Sequence, residues 1–262
     1  VDAVMQVFDF FCLRKKFLLY NLISRNLKVK YRRSVLGVFW TILTPISSAL
    51  VYFIVFKVVL KVQKQDYLMT ILAGVLSWNY FSVTVSEGVS QLVDKQGLIT
   101  KIYLPIQIFG LTTAATNLIT LLFAVPVIMV VAVIQGKGLV WSLLLLPYFI
   151  ACLFFLTYGC TMLVATAYVF FRDLRQIIAV VLQLMFYGTP ILYTTDMVPE
   201  NYRWILTLNP VGELIPDIQN CFVEHTPWSV ETFLNPLLWA LGVTILSFFI
   251  HKYTKRTVVE SL

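Results

Sequence analysis

Charge is scarce in this chain. Of its 262 residues 13% are Asp, Glu, Lys or Arg, 59% are hydrophobic, and the mean hydropathy is +0.84. Soluble domains carry roughly 25% charged residues, so the composition excludes a disordered, collagenous or ordinary soluble protein and leaves lipid as the solvent for most of the apolar surface. Cysteine is sparse too: Cys12, Cys152, Cys160 and Cys221 form no C-x-x-C pair and read as inert apolar thiols. His225 and His251 stand alone, without a Cys/His cluster or H-E-x-x-H, so no metal is expected. No G-x-x-x-x-G-K-[ST] phosphate loop occurs; the Gly136-Lys137 pair lacks that context. No long apolar stretch carries a central charge and no T-V-G-Y-G string is present, which argues against ion pumps, proton relays and potassium channels. A cleavable signal pattern is missing at the start, so the apolar stretches themselves are expected to target the chain.

What is present is long apolar runs. Six stretches contain no Asp, Glu, Lys or Arg: Ser34–Phe56, Tyr67–Ser86, Ile102–Gly136, Gly138–Phe171, Gln176–Thr195 and Thr232–Ile250. Roughly 20 apolar residues span the hydrocarbon core as a helix, and all six reach that length. The alternating ~10-residue segments of a membrane β-barrel are missing. The expected fold is therefore an all-α integral membrane protein with six transmembrane helices. Residues 1–33 form a cytoplasmic amphipathic interface helix, and residues 34–262 form the membrane domain. Its outer segment, about 196–231, is re-entrant.

With six crossings both termini share a side. Placing them in the cytoplasm puts 15 Lys and Arg inside and 5 outside, as the positive-inside rule requires. The net charge of +7 is then a topology signal rather than a nucleic-acid patch. In residues 1–33, Leu13, Phe17, Tyr20, Ile23, Leu27 and Tyr31 recur at helical spacing, while Arg14, Arg25, Lys28 and Arg32 fall on an adjacent face. This pattern suits a helix in the headgroup layer. It reads either as a plain anchor or as a surface that meets a soluble partner or guides an anionic headgroup. The outer segment 196–231 holds six acids and one base, with Pro199, Pro210, Pro216 and Pro227 as expected breaks between short helices dipping into the outer leaflet.

Several spans carry neutral polar stripes. Thr41, Thr44, Ser48 and Tyr52 line one face of the first, beside Trp40; Asn79 and Ser82 begin a stripe in the second, continued by Ser86 and Ser90; the third has Thr112, Thr113, Thr116, Asn117 and Thr120. Such residues serve helix–helix contact or line a wet passage. In lipid each hydroxyl would lose partners at roughly 1–3 kcal/mol. Thirty-nine aromatics (Phe 20, Tyr 13, Trp 6) supply interfacial belts, and several, including Trp78, Tyr80 and Tyr187, neighbour the stripes. Rings beside hydroxyls suit a sugar, so Trp40, Thr41, Thr44, Ser48, Tyr52, Asn79 and Ser82 are the candidate channel lining.

The run Arg25 to Trp40 (RNLKVKYRRSVLGVFW) with Thr44-Pro45 resembles the start of ABC-2 type export permeases, most closely those exporting lipid-linked O-antigen, teichoic acid or capsular polysaccharide. Lys101-Ile102-Tyr103-Leu104-Pro105 is similar to the family's segment after the second span, Tyr168–Leu174 to its turn after the fourth, and Asn209-Pro210 to its outer re-entrant segment. The resemblance covers about residues 20–255. It implies a channel at the interface of two copies, working with two separate ABC ATPase subunits that hold the ATP and magnesium; no cofactor is expected in this chain, which is not itself an enzyme. It places ATPase coupling on Asp94, Lys95 and Lys101, with Arg172 and Asp173 as a secondary contact. It places lipid-headgroup admission on Tyr31, Arg32 and Arg33. The implied function is export of undecaprenyl-linked polysaccharide, as in lipopolysaccharide biosynthesis, across a bacterial inner membrane. The alternatives are an ABC-2 exporter of a small amphiphile or drug, and a membrane-embedded polyprenyl glycosyltransferase or phosphatase. The last needs clustered acids or histidines, whereas Glu87, Asp94 and Asp173 lie apart in sequence.

Overall fold

The structure, a computed structural model, describes residues 13–30, 32, 37, 39–59, 66–99, 106–135, 140–193, 195–223 and 227–261. Tyr31, Arg33 and Lys101, and the side chain of Thr41, lie outside the described residues. The described regular structure is helical throughout. In chain order the α-helices are α1 (Leu13–Lys30), α2 (Phe39–Phe53), α3 (Tyr67–Val89), α4 (Gln91–Asp94), α5 (Gln96–Ile99), α6 (Gln107–Ile134), α7 (Leu146–Phe170), α8 (Leu174–Tyr187), α9 (Trp204–Leu208), α10 (Leu214–Val223) and α11 (Val230–Ser261). A π-helical turn, Ile54–Val59, prolongs α2, and a 3₁₀ turn, Trp141–Leu145, leads into α7.

Each of the six apolar stretches holds a helix. Among the described residues four segments are long and apolar enough to cross a membrane: Tyr67–Val89, Gln107–Ile134, Trp141–Phe170 and Val230–Lys255. The helices of the first and fifth stretches are shorter. With its π turn α2 reaches Val59, about 31 Å at 1.5 Å per residue, which matches the ~30 Å core. Helix α8 has 14 residues, about 21 Å, and falls short. It stops because Pro190 lacks an N–H and biases Thr189 away from helical backbone.

The chain beyond α8 re-enters the core without helix, since Ile191 and Leu192 are buried. Irregular backbone at this depth survives where protein supplies its hydrogen bonds. Tyr67 Oη donates to the Leu192 carbonyl (2.6 Å), Gln219 Nε2 to the Ile191 carbonyl (3.2 Å), and Asn209 Nδ2 to Thr189 Oγ1 (2.8 Å). The irregular outer segment thus begins at Gly188, earlier than the expected position 196. Pro216, expected as a break, instead sits in the first turn of α10, where its missing N–H costs no intrahelical bond. Helix α10 does not lie loose at a surface: Leu214, Ile215, Ile218, Cys221 and Phe222 join the main core, and α10 packs on α3 and α7.

Helix α3 is central. Most of its side chains are buried, and it touches α2, α6, α7, α8 and α10. The largest seam runs between α7 and α11. There Gly159 leaves room for the backbone of Val243 and Thr244, and Thr244 Oγ1 donates to the Phe155 carbonyl (2.8 Å). A second, smaller core at the opposite end from α10 gathers Leu92, Ile99, Ile106, Ile108, Phe109, Ala165, Val169 and Val258. Helix α1 docks there through Leu18, Leu19 and Leu22. Phe17 and Tyr20, from the apolar face read in the sequence, are 74% and 69% exposed, on the opposite side of α1 from these leucines. Its basic residues Arg25, Lys28 and Arg32 are exposed as expected.

Candidate functional site: an aromatic cavity and a polar junction

Helices α2 and α8 leave apolar surface open. Phe39, Trp40, Val51 and Ile54 on α2, and Ile177, Val180, Leu184 and Tyr187 on α8, are more than half exposed. Gln176 and Gln183 share the open side of α8 with Val180 and Tyr187, at spacings of 4, 3 and 4. An apolar helix with two exposed amides is poorly matched to lipid; this face suits protein or water.

Between α2 and the end of α8 lies a cavity of about 290 Å³. Its wall includes Tyr52, Phe56, Phe186, Tyr187, Thr189 and Tyr193. Tyr52 and Phe186 stand 5.8 Å apart between centroids, Phe186 meets Trp78 edge-on at 5.8 Å, and Tyr193 Oη donates to the Tyr187 carbonyl at 3.0 Å. Rings and phenols therefore converge without a charged group in the wall.

Of the expected channel lining, Trp40 and Thr44 are exposed, Ser48, Asn79 and Ser82 are half-buried, and Tyr52 faces this cavity. Ser48 Oγ donates to the Thr44 carbonyl of its own helix (3.1 Å), and Ser82 Oγ to that of Asn79 (3.4 Å). Such back-bonds satisfy a hydroxyl locally, so the cost of facing lipid does not orient the α2 stripe. The third stretch differs: Thr112, Thr113, Thr116 and Asn117 are buried between helices, and Thr112 and Thr116 back-bond to α6 itself. They serve packing.

At the α1 end, the segment that carries Asp94 and Lys95 folds as α4 and α5. Asp94 is exposed and accepts from Ser90 Oγ (2.7 Å). Lys95 is half-buried with Nζ 5.1 Å from the Phe109 ring centre; burial, then Arg25, lowers its pKa, with Asp94 and Glu87 opposing. Arg172 and Asp173 lie exposed in the α7–α8 turn, the guanidinium 5.4 Å from the Tyr168 ring centre. Arg32 is exposed beyond α1, beside a groove of Asn21, Ser24, Arg25 and Lys28.

Sequence reasoning missed the junction beside these residues. Lys30 Nζ donates to Glu87 Oε1 (3.1 Å) and to Asn117 Oδ1 (2.7 Å), and Asn117 Nδ2 donates to Glu87 Oε2 (2.8 Å). No local pattern links positions so far apart; the one available signal was an acid, Glu87, at the end of an otherwise apolar helix. At the far end Asp217 of α10 is pushed up to about 8 by burial and then by Glu213, whose Oε2 accepts from Asn235 Nδ2 (2.9 Å).

Long apolar helices around an aromatic-rich interior mark a multi-pass membrane protein. The profile of the ABC-2 type transporter family matches residues 18–214, and the chain belongs to that family. It is similar to the O-antigen export system permease protein RfbA of Klebsiella pneumoniae, 30% identical over 238 residues covering 88% of this chain and 91% of that protein. It is likewise similar to the O-antigen export system permease protein RfbA of Myxococcus xanthus, 33% identical over 231 residues and 87% of each chain. Membership makes the chain a transporter subunit rather than an enzyme; such permeases bind no cofactor themselves and pair with ABC ATPase subunits that handle ATP.

Proposed function

We propose that this chain is the channel-forming subunit of an ATP-driven exporter of undecaprenyl-linked polysaccharide, O-antigen or a chemically similar polymer, across a bacterial inner membrane. The observation that carries the proposal is the similarity, over most of both chains, to permeases named for O-antigen export. The neutral aromatic cavity supports it, because rings and hydroxyls give a sugar chain weak, repeated contacts without trapping charge.

In this reading all six apolar stretches cross the bilayer, the fifth as α8 continued by the irregular residues 188–192, and both termini are cytoplasmic. Residues 1–33 lie in the headgroup layer, and residues 196–231 form the outer re-entrant part of the membrane domain. The open faces of α2 and α8 meet a second copy and enclose the passage, along Trp40, Thr41, Thr44, Ser48 and Tyr52, with Asn79 and Ser82 behind them. Asp94, Lys95 and Lys101 meet one of two ATPase subunits, with Arg172 and Asp173 as a second contact. Tyr31, Arg32 and Arg33 admit the lipid pyrophosphate, for which guanidinium supplies charge-assisted, bidentate bonds.

The test is complementation. Expressed with its cognate ATPase in a host stripped of its own polysaccharide exporter, the chain should restore the surface polymer. Restored drug efflux without surface polymer would favour the small-amphiphile alternative and refute the proposal.

A further inference from the structure

The junction of Lys30, Glu87 and Asn117 is a closed triangle in which each side chain bonds both others. It draws on three separate elements: the last residue of α1, the last turn of α3 and the middle of α6. One turn further along α3, Gln91 at the start of α4 accepts from Thr113 Oγ1 of α6 (3.0 Å). Positions 87 and 91 on one side, and 117 and 113 on the other, are both four apart. The two rungs therefore align along antiparallel helices, and Lys30 caps them from α1.

Holding α1 to the bundle does not rest on the Lys30–Glu87 ion pair alone. The Lys30 and Glu87 side chains are 26% and 45% exposed, and ion pairs so open to water contribute little to stability. Leu18, Leu19 and Leu22 already hold α1 to the bundle. Apolar contact is non-directional, however, and lets a helix slide or roll. Hydrogen bonds fix register. The triangle fixes the end of α1 just before residues 31–33, and it does so from the helix turn that leads directly into α4.

We propose that Lys30, Glu87 and Asn117, braced by Gln91 and Thr113, form the joint that makes α1 and the α3–α4 corner move as one body. The ATPase stroke received by residues 94–101 then sets the position of the turn that admits the substrate headgroup. The proposal rests on the polysaccharide-export reading for its substrate, but not for its mechanics. In this proposal the three are positioning residues, acting through α1 and the α3–α4 corner.

The amide of Asn117 provides a sharp test. Its oxygen accepts from Lys30 and its nitrogen donates to Glu87, so Asn117→Asp keeps the shape and sets two carboxylates against each other. Glu87→Gln removes the charge. The exchange of Lys30→Glu with Glu87→Lys is satisfied again if the Asn117 amide turns over, since each end then meets its complement.

The permease would be reconstituted with its cognate ATPase in proteoliposomes, free of native cysteines and carrying spin labels at the exposed positions Val29→Cys and Ser86→Cys. Their separation would be measured without nucleotide and with ATP held by a hydrolysis-deficient ATPase. With the joint intact, this distance should be the same in both states. In Asn117→Asp and Glu87→Gln it should broaden or shift with ATP. Polymer moved per ATP should fall about tenfold, the scale of losing one charge-assisted hydrogen bond, and the Lys30/Glu87 exchange should recover it at least in part. A native distance that shifts with ATP would overturn the joint, as would single variants that keep normal transport per ATP, or an exchange no better than its single components. If the native complex moves no polysaccharide at all, the export reading fails, while the distances still decide the joint because they require ATP alone.

Discussion

Replacing Gly159 with Ala should loosen the largest helix seam of the protein. A Cβ at this position would sit 2.9 Å from the Thr244 backbone nitrogen and 3.0 Å from the Thr244 Cα and the Val243 carbonyl carbon. All three are backbone atoms of α11, so no side chain can swing aside. Comfortable carbon contacts fall near 3.5–4.0 Å, so the axes of α7 and α11 must part locally by about 0.5–1 Å, a gap that forfeits a quarter to a half of the dispersion well for the atoms across it. Overpacking of this kind typically costs about 1–3 kcal/mol. The same displacement stretches the 2.8 Å bond from Thr244 Oγ1 to the Phe155 carbonyl. At roughly 2–4 °C per kcal/mol for a chain of this size, that is a Tm loss of about 2–12 °C, offset in part by the ~1 kcal/mol by which Ala is the better helix former. The assay is thermal unfolding in detergent, followed by tryptophan fluorescence and by monodispersity after heating. Gly242 on α11 is the matched control, because a Cβ there meets nothing within 4 Å. Gly242→Ala should hold or raise the Tm, since Ala is the better helix former by about 1 kcal/mol. A Gly159→Ala protein that melts with the native one, or a Gly242→Ala protein that loses as much, would refute the packing argument.

Asp217 gives a pH signature. Between its ordinary value near 3.8 and about 8, the folded chain keeps a proton that the unfolded chain has released, so this group's contribution lowers stability as pH rises through that window and levels off above it. Asp217→Asn should flatten this part of the profile in melts taken from pH 5 to 9, and an unchanged slope would remove Asp217 as its source. Tyr67→Phe should cost about 1 kcal/mol of stability by leaving the buried Leu192 carbonyl without its 2.6 Å donor; a melt equal to the native one would show the carbonyl otherwise satisfied. Joint Leu substitution of Tyr52 and Tyr187, which keeps the cavity apolar but strips its phenols, should slow polymer export while ATP hydrolysis persists, and normal export would place the sugar path elsewhere. Arg32→Lys together with Arg33→Lys keeps the charge that sets topology but loses the planar fork, so export at the native rate would exclude a guanidinium role in headgroup capture.

Burial in a membrane is written locally, and that is why so much of this protein can be read from the chain. A stretch such as Ile102–Gly136, without one charge in 35 residues, has to be helical in lipid whatever surrounds it, and α6 duly fills most of it. The family resemblance and the basic face of α1 are equally local, since each sits within one short run. What depends on distant partners was beyond the sequence. Pro190 ends α8 locally, but that the irregular Thr189–Leu192 then stays in the core depends on the hydrogen bonds of Tyr67, Asn209 and Gln219. The docking residues of α1 are set from outside it: the core around Leu92 and Phe109 receives Leu18, Leu19 and Leu22, which the helical spacing of its other apolar face did not single out. The threonines of α6 and the hydroxyls of α2 look alike in sequence, yet the first are enclosed by neighbouring helices, while on α2 Thr44 is exposed and Tyr52 lines the aromatic cavity. Glu87 is the clearest case. By itself it is a lone acid at a helix end, and only the tertiary fold, by bringing α1 and α6 to it, supplies the ammonium and the amide that complete its hydrogen bonds.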